Sequence, residues 1–206
     1  MLITGQVVGF IRRVNLKNGR SKAVVLADLV TLDDSHIADY ENRWEATLKE
    51  YGEDDQGFSW RFKQQLMSRN DNYEGYALVV EDITQGLMLI ETQTRWSQFT
   101  PGKRLVGVDA LATAPWNRPA IQRPRDLEGV GTALLAFARE RSLALGYQGR
   151  VGLYSLPEAV SFYERLGMTR LELEPDEILD DEDMTPYFEY IVFPAVEEND
   201  SNDDLF

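Results

Sequence analysis

The segment DLEGVGTALLAFARERS, residues 126–142, is the stretch that decides the fold. Gly129 and Gly131 stand one residue apart, and a helix-like repeat of Ala, Leu and Phe follows directly. A helix that begins at glycines presents unpaired backbone N–H groups and a positive dipole end, without side chains that block an approaching phosphate. The segment therefore predicts either an anion-binding helix start or a tight turn that lets the helix pack closely.

The chain around this segment alternates between strands and helices, without an internal repeat. A hairpin is predicted around Asn18-Gly19, a dipeptide that tolerates the backbone angles of a tight turn. Apolar residues at three- and four-residue steps predict two helices, the first from Ile37, Tyr40, Trp44 and Leu48 and the second from Phe58, Phe62 and Leu66.

The later elements complete the fold class. The sequence predicts a hairpin over 76–92, a strand at 104–114, the glycine-led helix, a strand at 150–155, a helix at 157–166, and strands near 168–173 and 187–193. This order predicts an α/β (α+β) protein with a mixed, mostly antiparallel central sheet and helices on both faces.

The strand at 104–114 has two different faces. Strict alternation places five apolar side chains on one face: Val106, Val108, Ala110, Ala112 and Ala114. The other face carries Gly107, Asp109, Leu111 and Thr113. We therefore expect one face to pack in the core and the other to face a ligand.

Composition limits the possible chemistry. A chain of 206 residues suits one substantial domain. It has no cysteine, and its one histidine, His36, cannot build a histidine metal site, so no metal is expected. The start does not resemble a signal peptide, and no apolar run approaches membrane-spanning length, so a cytoplasmic protein without a membrane partner is expected.

The negative charge is concentrated in the C-terminal region. Fourteen of the 35 acidic side chains, and no Lys or Arg, lie in residues 172–206, whereas the preceding residues carry equal numbers of acidic and basic side chains. Duplex nucleic acid is therefore a poor candidate partner, since neutralising its phosphates requires a basic face. Residues 196–206 are expected to form an acidic, disordered tail.

Three stretches resemble the GNAT superfamily of acyl-CoA-dependent N-acetyltransferases. They are ALATAP at 110–115, EGVGTALLAFA at 128–138 and GRVGLYSLPEAVSFYERLGM at 149–168. The family signature Q/R-x-x-G-x-G/A falls on 126–131, and FYERLGM resembles the Tyr-x-x-x-Gly-Phe end of the family's next helix. The resemblance implies one GNAT-like domain over 1–195, with residues 76–173 as its best-matching core and residues 1–30 as an added hairpin.

The resemblance also implies a site for acetyl-CoA, the cosubstrate of that family. The pyrophosphate would lie on the backbone amides of Gly129, Val130, Gly131 and Thr132, and Arg123 and Arg125 could add charge-assisted contacts. The pantetheine arm would lie beside Leu111, Ala112 and Thr113, where the family's strand splays at a bulge.

The sequence departs from the family pattern at two places. Asp126 stands where Gln or Arg is usual, and Ser155-Leu156 replaces an Asn common near the end of the following strand. These departures leave two functions open. One is N-acetyl transfer to a primary amine by direct attack, and the other is a catalytically silent CoA-binding regulatory or interaction module.

The chemistry of acetyl transfer identifies candidate catalytic residues. An alkyl ammonium has a pKa of roughly 10.4, so a carboxylate or a water chain must take its proton before it attacks. Asp109 and Glu91 are the candidate bases. Tyr163 matches the family tyrosine that often protonates the departing sulfur; its other interpretation is a core aromatic on one stripe with Val160 and Leu166.

The acceptor is predicted only as a class. We expect the acceptor to be a small-molecule or peptide amine. A second copy of the chain, in a homodimer, is the other predicted partner. The acidic residues of 172–183 form either part of an acceptor pocket that suits a cation or a solvated loop. Trp116 and Asn117 either shape the acceptor entrance or hold their loop in place, and the second interpretation is favoured.

Overall fold

The computed structural model describes residues 10–171 and 185–191. Nine strands lie within these ranges: β1 (Phe10–Asn18), β2 (Val24–Thr31), β3 (Tyr73–Val80), β4 (Ile83–Glu91), β5 (Val106–Thr113), β6 (Leu127–Glu128), β7 (Val151–Tyr154), β8 (Thr169–Arg170) and β9 (Tyr187–Tyr190). They form one sheet in the order β6-β1-β2-β3-β4-β5-β7-β9-β8. Only β5 and β7 pair in parallel; the other neighbours are antiparallel. The predicted mixed, mostly antiparallel sheet is confirmed.

Helices cover both faces of the sheet, as predicted. They are α1 (Asp34–Asp39), α2 (Glu45–Tyr51), α3 (Trp60–Arg69), α4 (Val130–Ala144) and α5 (Val160–Arg165). A π-helical turn, Tyr40–Trp44, joins α1 to α2, and single 3-10 turns cover Asp54–Gly57, Pro115–Asn117 and Pro157–Ala159. None of the described helices combines the length and apolar character needed to cross a membrane.

One hydrophobic core lies between α1–α3 and the sheet. The predicted stripe of Ile37, Tyr40, Trp44 and Leu48 is buried in it, which confirms that part of the pattern. The pattern of Phe58, Phe62 and Leu66, which predicted the second helix, is wrong about which face of that helix is buried. Trp60 is the buried aromatic residue of α3, whereas Phe62 is 58% exposed. The helix begins only after Ser59, whose side chain caps it, so Phe58 precedes the helix and does not define its face.

The second core lies between α4, α5 and the opposite face of the sheet. Leu134, Leu135 and Ala138 of α4 and Tyr163 of α5 are buried in it. Helix α4 approaches β4 closely because Gly86 has no side chain: a Cβ there would lie 2.7 Å from Val130 Cγ1. This close approach fixes the start of α4 over the middle of the sheet.

The N-terminal hairpin supports the segment that leads into α4. The hairpin of β1 and β2 is confirmed, but its second partner was not predicted: β1 also pairs with β6, with Asn18 opposite Leu127. The Gly19 amide donates to the Asp126 carbonyl oxygen at 2.9 Å. The hairpin turn therefore holds the loop directly before the glycines.

Strand β5 contains a bulge that corrects the predicted face pattern. Leu89 pairs with Ala110 and Ile90 with Val108, so Asp109 is an extra residue in the ladder. Strict alternation is wrong here because the bulge reverses the faces that follow it. Val106 and Val108 belong to the core beside α4, whereas Ala110, Ala112 and Ala114 belong to the core beside α1–α3.

Candidate active site

The bulge at Asp109 coincides with the place where β5 separates from β7. The parallel ladder joins Val106–Val108 to Val151–Leu153 and includes no later residue of β5. Residues 111–113 remain paired with β4 on their other side. One edge of this part of β5 therefore faces a cleft in the middle of the sheet. An exposed strand edge of this kind can accept and donate hydrogen bonds to an extended ligand.

The glycine segment forms the start of α4 next to that cleft. Gly129 precedes the helix with a φ of 92°, a conformation that favours glycine, and no side chain caps the helix. The first described backbone bond of the helix runs from the Ala133 amide to the Gly129 carbonyl oxygen at 2.8 Å. The amides of residues 130–132 precede that bond, so they lack intrahelical acceptors. Unpaired amides at a helix start of this kind can bind an anion.

Gly131 also has the packing role that the sequence left open. A Cβ at this position would lie 3.0 Å from Cζ of the Phe162 ring, and the residue is buried. Glycine therefore lets α5 pack against the first turn of α4. The two interpretations of this glycine are compatible, because its amide and its missing side chain face different neighbours.

A cavity of about 490 Å³ connects the cleft with the start of α4. Eight of the nine predicted cofactor-binding residues line it: Leu111, Ala112, Thr113, Arg125, Gly129, Val130, Gly131 and Thr132. Arg123 is not among the lining residues, and its guanidinium donates to the Pro119 carbonyl oxygen at 2.7 Å. We refer to this space as the cofactor-side cavity.

Comparisons with known proteins agree with this arrangement. No family model and no curated sequence matches the chain. Solved structures do match it. The GNAT domain of S. lividans PAT aligns with a TM-score of 0.52 and 17% identity, over 87% of this chain and 95% of that one.

Two further structures show the same likeness. A GCN5-related N-acetyltransferase from Ralstonia eutropha JMP134 has a TM-score of 0.50 and 19% identity, over 72% of this chain and 96% of that one. AAC(6')-Iy, in complex with a bisubstrate analogue, CoA-S-monomethyl-acetylneamine, has a TM-score of 0.52 and 12% identity, over 72% of this chain and 94% of that one. The chain has the GNAT fold.

Tyr163 lies in α5, beside the cleft between β5 and β7. Its side chain lines the cofactor-side cavity, although the residue is only 7% exposed. Its ring packs against Phe162 and Phe188, with centroid distances of 5.1 and 5.7 Å. Burial, and to a lesser extent the Asp55 carboxylate, raises the pKa of the Tyr163 phenol to about 12. The phenol therefore stays protonated at neutral pH and can donate a proton.

The two candidate bases have different positions. Asp109, at the bulge, lines the cofactor-side cavity, and its Oδ2 accepts from Lys63 Nζ at 3.3 Å. Glu91, at the end of β4, is 2% exposed and is not among the residues that line the cavity. Its Oε1 accepts from the amides of Gln93 and Thr94 at 2.9 and 2.8 Å, so it stabilises the turn after β4. The geometry favours Asp109 as the base.

A charged group that no sequence pattern predicted lies on the cavity wall. Arg118 donates to Glu53 and Asp55 at 2.7 and 2.5 Å and, through Nε, to the Thr113 carbonyl oxygen at 2.9 Å. Burial lowers the pKa of Arg118, but the hydrogen bonds and charges of Asp55 and Glu53 outweigh burial and raise it. The group ties the loop after α2 to the end of β5. The only sequence signal for this group of charges is the charged composition of the loop that carries Glu53 and Asp55 and of the loop that carries Arg118.

Two other expectations concern nearby loops. Trp116 Nε1 and Asn117 Nδ2 both donate to Gln85 Oε1, at 2.8 and 2.9 Å, so these residues hold their loop in place, as favoured from the sequence. The acidic residues of 172–183 and the tail at 196–206 lie outside the described residues.

Proposed function

We propose that this protein is an N-acetyltransferase that transfers the acetyl group of acetyl-CoA directly to a primary amine. The observation that carries the proposal is the single cavity that joins the uncapped start of α4, the edge of β5 that does not pair with β7, the Asp109 carboxylate and the Tyr163 phenol. The pyrophosphate of acetyl-CoA would lie on the amides of residues 130–132. Its pantetheine arm would lie along residues 111–113, as the resemblance implies.

The two polar side chains can divide the proton transfers of the reaction. Asp109 accepts a proton from the acceptor ammonium, and the neutral amine nitrogen then attacks the thioester carbonyl carbon. A carbon–nitrogen bond forms and the carbon–sulfur bond breaks. Tyr163 donates its proton to the departing sulfur, and the attacking nitrogen loses its second proton to solvent as the amide forms. Tyr163 then regains a proton from solvent and Asp109 releases its proton to solvent, so that one proton is released for each acetyl group transferred. No covalent enzyme intermediate is needed, because the amine itself is the nucleophile.

A CoA-binding module without turnover is the second candidate, and Asp126 is the observation that favours it. Asp126 occupies the signature position where the family usually carries Gln or Arg. Its Oδ1 accepts from Gln122 Nε2 at 2.6 Å, and the residue does not line the cofactor-side cavity. This position therefore adds no positive charge for a pyrophosphate.

Two measurements test the proposal. Acetyl-CoA should raise the melting temperature, because a ligand that binds only the folded state stabilises it by about 2.7 kcal/mol at a hundredfold excess over its Kd. A thiol-release assay with a panel of primary amines should then detect free CoA. Absence of a thermal shift at millimolar acetyl-CoA would exclude the proposal, and a shift without turnover of any amine would favour the binding module.

A further inference from the structure

A second cavity lies on the other side of the bulge. It has a volume of about 290 Å³, just below the range of roughly 300–1,000 Å³ typical of small-molecule pockets. It shares four lining residues with the cofactor-side cavity: Val108, Asp109, Leu153 and Tyr154. The remaining lining residues come from the loop 94–98, the start of β5, β7 and β9. We refer to it as the aromatic cavity.

Aromatic side chains form much of this cavity. Trp96 is 48% exposed and Tyr154 is 61% exposed, and the Arg104 guanidinium covers one face of the Trp96 ring, with its Cζ 4.7 Å from the ring centroid. The buried ring of Tyr187 packs against Tyr154 at a centroid distance of 5.2 Å. A ligand with a flat apolar group would remove these ring surfaces from water, which is the main source of affinity in such sites.

Two opposite charges lie side by side in the same cavity. Arg95 Nη2 is 3.9 Å from Asp109 Oδ1. Its other ion-pair contact, from Nε to Glu91 Oε2, is 4.0 Å, so both exceed hydrogen-bond length. Among the described residues the Arg95 guanidinium donates no hydrogen bond, although a guanidinium has five N–H groups. It is available to bind a carboxylate in a bidentate manner.

The cavity is held in place by its surroundings. Glu189 is fully buried and accepts from Ser97 Oγ at 2.5 Å, the Gln98 amide at 3.1 Å and the Tyr187 hydroxyl at 3.1 Å, which ties the loop 94–98 to β9. Gly107 forms part of the floor, where a Cβ would lie 2.7 Å from Arg95 Cγ. The aliphatic part of the Arg95 side chain therefore lies directly against β5. Because this part of the side chain is already in place, ligand binding requires little reorganisation of it.

We propose that the aromatic cavity binds the acceptor and that this acceptor is a free α-amino acid with an aromatic side chain. An α-amino acid carries its ammonium and carboxylate on one carbon, which matches the adjacent Asp109 and Arg95. Its ring would lie among Trp96, Tyr154 and Tyr187. The ammonium would then lie beside Asp109, which also lines the cofactor-side cavity. The inference rests on the proposed acetyl transfer and adds the substrate class.

The test compares three acceptors in the thiol-release assay. L-Phenylalanine has the ammonium, the carboxylate and the ring; phenethylamine lacks the carboxylate, and glycine lacks the ring. We expect kcat/KM to be highest for L-phenylalanine. In Arg95→Gln the ratio of kcat/KM for L-phenylalanine to kcat/KM for phenethylamine should fall by roughly ten- to a hundredfold, the range for a lost hydrogen bond to a charged group. The ratio isolates the carboxylate contact, because any change that the loss of the Arg95 charge causes at Asp109 acts on both amines.

A matched variant and a direct binding measurement complete the test. Arg43→Gln removes an arginine whose side chain is 50% exposed, against 47% for Arg95, from a remote helical turn. This variant should leave kcat/KM unchanged for both substrates. Titration calorimetry with L-phenylalanine, with and without CoA, reports the site independently of turnover. The inference is overturned if phenethylamine or a polyamine is the preferred acceptor, or if Arg95→Gln lowers kcat/KM equally for both substrates. In either case a thermal shift with acetyl-CoA would still support the proposed function. Absence of that shift rejects the proposed function, whereas calorimetry still decides whether the amino acid binds.

Discussion

The two cavities that meet at Asp109 are built in different ways. The cofactor-side cavity depends largely on main-chain features: the edge of β5 after its bulge and the first-turn amides of α4. The aromatic cavity depends on side chains from four segments, among them Arg95, Trp96 and Tyr187. Main-chain sites present the same donors whatever the side chains are, whereas side-chain sites discriminate between ligands. Under the proposed function, main-chain groups would hold the cosubstrate and side chains would select the acceptor.

Loss of the Tyr163 hydroxyl is expected to have the largest effect, because it removes the proposed proton donor from the wall of the cofactor-side cavity. In Tyr163→Phe, turnover should fall by roughly 10²- to 10⁴-fold, the usual contribution of a positioned general acid. The affinity for CoA should be unchanged, since the packing against Phe162 and Phe188 remains. Steady-state kinetics and thermal shifts measure the two quantities.

The pH dependence sharpens this prediction. Because the pKa of Tyr163 is about 12, the phenol stays protonated through the mildly alkaline range, and its ionisation should cause no loss of rate there. Equal turnover by the wild type and Tyr163→Phe would show that the residue is only a core aromatic.

Removal of the Arg118 charge tests whether the cofactor-side cavity also depends on side chains. Arg118→Met leaves the buried carboxylates of Glu53 and Asp55 without their cation, a change that costs about 3–5 kcal/mol of folding free energy. Urea denaturation measures it. Arg125→Met is the matched control, because Arg125 lines the same cavity but makes a longer, more exposed contact of 3.4 Å with Glu128. Similar destabilisation of both variants would disprove the structural importance of the Arg118 group.

A carboxylate at the start of α4 tests the main-chain site. Thr132 is exposed and Gly131 is buried against Phe162, so Thr132→Glu is the less disruptive variant. It should remove most of the stabilisation of about 2.7 kcal/mol by acetyl-CoA, because the new charge repels the pyrophosphate while an acid suits the first turn of a helix. Ala136→Glu, exposed one turn later, should keep the thermal shift. Equal shifts in both variants would place the pyrophosphate elsewhere.

Short-range patterns were enough to predict most of the fold. The glycine-led start of α4, the stripe of Ile37, Tyr40, Trp44 and Leu48, and the order of the strands all appear in the structure. These signals depend on residues within four positions of one another, where helix or strand geometry alone decides which side chains share a face. The pattern predicted the wrong buried face for α3, because Ser59 caps the helix and Phe58 therefore lies outside it.

The sequence by itself determined the class of fold and the glycine-led start of α4, because short-range residue patterns determine both locally. The tertiary structure alone decided the rest of the site. Pairing with β4 produces the bulge at Asp109, and folding brings Arg118 to Asp55 across 63 positions of the chain. Folding also places Arg95 beside Asp109. Such contacts depend on sheet register and helix packing, which no local spacing records, so these parts of the candidate site became visible only in three dimensions.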